Sequence, residues 1–518
     1  MSADDAAFLE DAAHYPGGFS AGVVCPRSEI ELASILHAAD TVLAVGAQSS
    51  LTGGATPMGE LVLSLSKLSE IGPIGERRIT AQPGVTLTAL RERLAAAGKT
   101  YPPVPTFEGA TVGGIVSTNA AGASTFKYGV TRDWVRALTV MLTCGELLDL
   151  ERGETRATDV CFQIETSSRT INVSIPTYHM PDVAKHSAGY HATPDMDLID
   201  LFIGSEGTLG VVTSVTLEVL PTRPEICLVL VALHDEAQAI TLASRFRDAS
   251  IATRHAADPR GLDVVSIEHV DHRSLELLRE DGADRRVGVS VPDAARVVLL
   301  LQVELPAGLS AAAIHHQVGI AASAKSQNGP IVQLCRVLDE MGLLDQTELV
   351  TPDDVSRTAA LLAFREAVPE TVNRRVALAK HTIDDSIEKT AADMIVPFSK
   401  LHQSIDLFRT AFESRGLDYA IWGHLSDANL HPNVIPRSVT DVGRGREAIL
   451  ACGREIIRLG GCPLAEHGVG RNPTKQRLLR LLYGETGVDQ MRRVKQALDP
   501  EWKLGPGVLF PPLSRQDG

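Results

Sequence analysis

Three segments of this chain combine glycine with small hydroxyl residues: VGAQSSLTGGATP (45–57), ATVGGIVSTNAAGAS (110–124) and GSEGTLG (204–210). Each is read as sitting at the end of a strand-like run. Glycine lacks Cβ, so backbone N–H groups can come close to a ligand, and Ser and Thr add further donors; a pyrophosphate needs both. One such segment alone reads better as a tight turn, but three in one stretch of chain point to phosphate binding. The G-x-G-x-x-G fingerprint after a first strand is absent, as is the G-x-x-x-x-G-K-[ST] loop, which excludes the usual Rossmann and ATPase readings.

Around these segments, 27–222 alternates strand-like runs (TVLAVGA, RITAQPGV, ALTVMLTCGELLDL, GVVTSVTLEVLP) with helical patterns at SEIELASILHAAD and TLTALRERLAAAG. Residues 151–200 are polar and irregular and read as a long surface excursion. After Pro221 the character changes: RVVLLLQVEL-type strands alternate with long amphipathic helices such as DDVSRTAALLAFREAVPETV, and a final helical stretch leads to DPEWKLGPGVLFPP. The fold class is α+β, and 518 residues suit two or three domains. The 49 Lys and Arg against 64 Asp and Glu give a net charge of −15, which opposes nucleic acid and anionic membrane surfaces as partners. Seven scattered cysteines with no CxxC pair argue against a disulfide framework or a zinc ribbon. The acidic amino terminus lacks a leader pattern and no run of eighteen apolar residues occurs, so the expected location is cytoplasmic, or peripheral at the inner membrane.

Over residues 20–222 the glycine-rich arrangement resembles the FAD-binding domain of the vanillyl-alcohol oxidase and p-cresol methylhydroxylase flavoprotein family. The resemblance implies a two-part FAD-binding domain whose contacts are Gly46, Ala47, Gln48, Ser49, Ser50, Thr52, Gly53, Pro83, Gly84, Val85, Thr111, Gly113, Gly114, Thr118, Gly122, Glu206, Gly207 and Gly210. Some members tether FAD through a histidine in the first loop; Gln48-Ser49-Ser50 stands there in this chain, so non-covalent FAD is expected.

In the carboxy-terminal half, WGHLSDANLHPNV carries His424 and His431, and AEHGVGR carries Glu466 and His467. Residues seven apart align on a helix and face opposite ways on a strand, so the spacing alone does not decide for a metal; a turn at Ser426-Asp427-Ala428 would have to fold the rings together. Two imidazoles and a carboxylate suit Zn²⁺ or Mn²⁺ with a position left open.

These two segments resemble the GH-x-GDGNLH and EHG-x-G segments of the FAD-linked D-2-hydroxyacid dehydrogenases, the D-lactate, D-2-hydroxyglutarate and glycolate dehydrogenase group, with Ser426 and Ala428 in place of glycines. By that resemblance His424, His431 and Glu466 hold a divalent metal, His467 is the general base and Asn433 touches the substrate. LLAFREAVPE resembles the segment whose arginine pairs with the substrate carboxylate, here Arg365, for which a solvated helix arginine is the alternative; Lys389 is a further substrate candidate. The resemblance implies domains at 1–222 (FAD-binding), 223–455 (an α+β cap with the metal motif) and 456–518 (a helical segment returning to the flavin). The expected partners are a small 2-hydroxy acid, an electron acceptor such as a quinone, an electron-transfer flavoprotein or a cytochrome, and a second copy in a homodimer. The rivals are a non-redox ether-lipid synthase on the same scaffold, whose relatives carry His-His-Gly where Glu466-His467-Gly468 stands, and a non-catalytic flavoprotein subunit.

Overall fold

The computed structural model of the chain describes residues 6–103, 107–222, 224–321 and 329–512. The expected domain start at 223 and the first five residues of the acidic amino terminus lie outside the described residues. The chain divides into two compact units. The first draws on Met1–Gly122, Gly129–Arg223 and Cys462–Gly518; the second on Ala123–Tyr128 and Pro224–Gly461.

The first unit is built on two sheets, the two-part arrangement expected of its sequence. Three parallel strands lie in the order Gly22–Val24, Leu61–Ser64, Val42–Val45. The helix Glu29–Ala38, capped by Ser28 accepting from Glu31 N, joins the two outer strands, which flank Leu61–Ser64. Its Leu32 and Leu36 pack with Val42, Leu63 and Leu504. The carboxy-terminal tail runs beside this sheet: Val42 N donates to Lys503 O and Gly505 N to Val42 O, both at 2.8 Å. The second sheet is antiparallel, in the order Ile71–Ile74, Arg78–Ala81, Val211–Glu218, Val135–Met141, Leu147–Glu151. Alternating exposure along Arg78–Ala81 and Leu147–Glu151 shows one face turned to the core.

Residues 151–200 are not a surface excursion. They form a hairpin, Cys161–Glu165 with Thr170–Ser174, whose Phe162, Ile164, Ile171 and Val173 are buried, followed by a stretch that buries Lys185, Ser187, Ala188 and Tyr190. The strands are five residues long and polar on the outer face, so composition hid them. Nor do all three glycine segments end strands. The second opens the helix Val112–Ser117, and GSEGTLG follows the helical turn Ile199–Phe202 and leads into Val211–Glu218.

The second unit has an eight-stranded sheet whose order runs Thr347–Val350, Glu225–Leu233, Val297–Leu305, Asp263–Val270, Tyr419–His424, Asn429–Val434, Thr390–Ala391, with Met394–Ile395 also pairing on Asn429–Val434. Every pairing is antiparallel. Helices His272–Glu280 and Val355–Thr382 cover one face through Leu275, Leu278, Leu361, Phe364 and Val368 against Leu228, Leu300, Val270 and Trp422. The helix Glu236–His255 packs against Asp263–Val270 and Val297–Leu305. The helix Val439–Arg458 continues past the expected boundary at 455 and stays within this unit.

In the first unit, a buried lysine joins the tail to the third glycine segment. Lys495 Nζ donates to Thr208 O, Leu504 O and Asp499 Oδ2, each at 2.8 Å. Removing one partner of a buried pair leaves an uncompensated charge. Lys495→Met is expected to cost about 3–5 kcal/mol, seen as a fall of roughly 10 °C in the unfolding midpoint; a shift within a degree or two would show that the pair does not hold the tail.

Candidate active site

The first unit carries a cavity open to solvent. Its wall includes Gly46, Ala47, Gln48, Ser49, Ser50 and Thr52 from the first glycine segment and Pro83, Thr111, Gly113, Gly114 and Thr118 around the second. Glu206, Gly207 and Gly210 come from the third. Gly53, Gly84, Val85 and Gly122, expected beside them, do not line it. Phe107, Leu65, Ile115 and Val212 do, and were not singled out in the sequence because nothing local marks an apolar residue as cavity wall rather than core. At Gly207 the backbone has φ +70° and a Cβ would meet no atom within 4 Å, so a side chain there would project into open space. That fits a ligand held against bare backbone. Gln48 adopts φ 50° and donates its amide to Phe8 O at 2.9 Å and Ala55 O at 3.2 Å, so its carboxamide braces the loop.

Glu466 and His467 line the same cavity. Their loop is gripped from three sides, all within the first unit. Glu206 accepts from Val469 N at 2.7 Å and Gly470 N at 2.8 Å. Thr52 O accepts from Arg471 N at 2.9 Å and Asn472 N at 3.0 Å. Ser187 donates to Thr118 O at 3.2 Å and to Glu466 O at 3.1 Å, while Ser187 N donates to Leu464 O at 3.0 Å. Beside it, Lys185 is buried with its ammonium on the Glu466 carboxylate. Nothing in the sequence marks Lys185 and Ser187, whose polar segment reads as a surface excursion.

In the second unit, Tyr419–His424 and Asn429–Val434 form a hairpin through the turn Leu425–Asp427, closed by Ala428 in the left-handed conformation at φ 62°. The chain turns here with Ala428 where the resemblance led one to expect glycine. His424 stands opposite Asn429 and Trp422 opposite His431, so the two histidines are diagonal neighbours on one face, a separation that aromatic side chains span. Their ring centroids are 5.5 Å apart and their planes perpendicular. Gly423 is where the strands crowd: a Cβ would lie 2.5 Å from Asn429 O.

Each ring has a buried carboxylate at its Nδ1. For His424 it is Glu268 Oε1 at 2.7 Å; for His431, Asp393 Oδ1 at 3.4 Å, which also accepts from Asn429 Nδ2 at 3.0 Å. Burial would raise the Glu268 pKa, but His424 and Arg365 outweigh it and hold the carboxyl down to about 2. Asn433 is buried on the same hairpin, with its Nδ2 donating to His431 O at 3.0 Å. Its Oδ1 and that of Asn429 have no hydrogen-bond partner among the described residues. Two backed imidazoles with spare amide oxygens nearby fit a divalent cation and a polar ligand. Arg365, expected at a substrate carboxylate, has its guanidinium on two protein carboxylates, Nε to Glu268 Oε2 at 2.8 Å and Nη1 to Glu366. Lys389 precedes the strand Thr390–Ala391 in this unit.

Crowding by protein raises the Glu206 pKa from 4.5 to about 7, against the Val469 and Gly470 N–H bonds and Lys475, which lower it. An acid whose folded pKa is raised contributes most below its unfolded value, and that contribution is lost as pH rises through the folded one. Wild type should therefore lose stability relative to Glu206→Gln between pH 5 and pH 8. Unfolding midpoints of both proteins at the two pH values check this, and a difference that does not change with pH would contradict it.

Comparison with known proteins agrees with this geometry. Residues 20–151 match the family model of an FAD binding domain, and residues 234–509, more than half of the chain, match that of the C-terminal domain of FAD linked oxidases. The glycolate oxidase subunit GlcD of Bacillus subtilis is 27% identical over 501 residues, covering 94% of this chain and 88% of its own. A D-lactate dehydrogenase of Anaerostipes hadrus is 27% identical over 470 residues, 90% of this chain and 83% of its own. A D-2-hydroxyglutarate dehydrogenase of Xanthomonas citri pv. viticola is 26% identical over 505 residues, 94% of this chain and 89% of its own. A solved alkyldihydroxyacetonephosphate synthase shares the fold, with a TM-score of 0.56 over 93% of this chain and 75% of its own at 15% identity. With an FAD binding domain joined to an oxidase domain, the chain belongs to the FAD linked oxidases and is an oxidoreductase.

Proposed function

We propose that the protein oxidises a small D-2-hydroxy acid, of the D-lactate, D-2-hydroxyglutarate or glycolate type, to the 2-oxo acid, using non-covalent FAD and a divalent ion. The observation that carries this reading is His467 in the wall of the cavity that the three glycine segments surround. A base at that wall is what oxidation of a hydroxyl beside a flavin requires. The names of the relatives supply the substrate class.

An α-hydroxyl is too weak an acid to lose its proton unaided at neutral pH. His467 takes that proton, and the grip of Glu206 and Thr52 on its loop fixes where the imidazole meets the substrate. When bound, FAD supplies the acceptor for the C2 hydride. A Zn²⁺ or Mn²⁺ ion on His424 and His431 would supply Lewis acidity to the hydroxyl. Asn433, with its buried free amide oxygen, would hydrogen-bond the substrate. The cavity wall has no histidine in its first glycine segment, which favours flavin held without a covalent bond.

Anaerobic mixing of the FAD-loaded protein with a panel of D- and L-2-hydroxy acids tests the proposal. One D-acid should bleach the flavin, a chelator should abolish the bleaching, and His467→Gln should slow it by about 10²–10⁴-fold. If every acid leaves the flavin oxidised with metal present, the proposal fails; if His467→Gln bleaches at the wild-type rate, the base is another group.

A further inference from the structure

We infer that Glu268, pinned by Arg365, is the positioning residue that sets the tautomer of His424, keeping the proton on Nδ1 and leaving Nε2 as the ligand nitrogen. Glu268 lies directly opposite His424 in the pairing of Asp263–Val270 with Tyr419–His424. Its Oε1 is 2.7 Å from His424 Nδ1, and its Oε2 is 2.8 Å from Arg365 Nε. All three side chains are withdrawn from solvent, with exposures of 4%, 2% and 15% for Glu268, His424 and Arg365.

The assignment follows from donor and acceptor chemistry. A guanidinium only donates and an ionised carboxylate only accepts, so Arg365 and the Nδ1–H of His424 each take one carboxylate oxygen. A neutral imidazole with its proton on Nδ1 presents a lone pair at Nε2. Carboxylates behind ligand histidines act this way in metal sites generally, and their loss typically weakens metal binding by about 10–100-fold. Arg365 thus acts on His424 through Glu268.

The metal-affinity part of this inference rests on the proposed metal; the tautomer part stands without it. The same chemistry predicts what Glu268→Gln does. Arg365 cannot accept a hydrogen bond, so the glutamine must turn its oxygen to Arg365 and its NH₂ to His424, which makes Nδ1 an acceptor and moves the proton to Nε2. Glu268→Asp keeps two acceptor oxygens and should keep the wild-type tautomer.

The experiment uses the full chain loaded with FAD. Ring ¹⁵N shifts of His424 report the tautomer, and competition with a chromophoric chelator reports Zn²⁺ affinity. Glu268→Gln should show the Nε2–H pattern and bind Zn²⁺ about 10–100-fold more weakly, with Glu268→Asp restoring the wild-type pattern and most of the affinity. An unchanged His424 pattern in Glu268→Gln overturns the inference whatever the affinity does. If the wild type binds no Zn²⁺, the metal reading fails, and the comparison of ring shifts still decides the role of Glu268.

Discussion

Two backbone N–H groups, those of Val469 and Gly470, end on the single carboxylate of Glu206. Gly468 and Gly470 have φ +75° and +55°, so the turn aims consecutive amides the same way, and an acceptor with two oxygens matches them. Thr52 O takes the next two amides, of Arg471 and Asn472. The loop that carries Glu466 and His467 is therefore bolted to the first and third glycine segments, so cavity wall and candidate base are one structure. The Lys185 ammonium on Glu466 and the Ser187 bonds close the remaining side.

The second unit solves a different problem, holding two imidazoles apart but facing one another. A six-residue strand, a tight turn and a second six-residue strand do this, with Gly423 allowing the strands their close approach and Ala428 accepting the left-handed backbone at the turn. Rotation of the His424 ring is limited from behind by its hydrogen bond with Glu268, and the Asp393 carboxylate lies 3.4 Å from His431 Nδ1. The long helix Val355–Thr382 brings Arg365 to Glu268, while its Leu361, Phe364 and Val368 pack in the core, so a charged contact is carried on an apolar anchor.

Much of this was legible in the sequence where the cause is local. The glycine segments could be read because a cradle needs contiguous small residues: Gly46 leaves room for Thr111, whose Oγ1 would be 2.2 Å from a Cβ. At Gly84 packing demands glycine as well, since a Cβ would meet Leu65 O at 2.2 Å. The seven-residue spacing of His424 and His431 was ambiguous in sequence and is resolved by hairpin register, which makes them diagonal neighbours. Lys185 and Glu268 could not be found at all. Their partners lie 281 and 156 residues away, and no periodicity marks a single charged residue that the fold will bury.

In the proposed reaction a hydride leaves the substrate carbon for a flavin bound in the cavity beside His467. Rapid anaerobic mixing with a reactive D-2-hydroxy acid deuterated at C2 tests it most directly, by the rate of flavin bleaching in a single turnover. The deuterated acid should bleach the flavin severalfold more slowly than the protiated one, because the C2–H bond breaks in the step observed. Equal rates under conditions where binding and release are fast, or no bleaching with any acid, would contradict it.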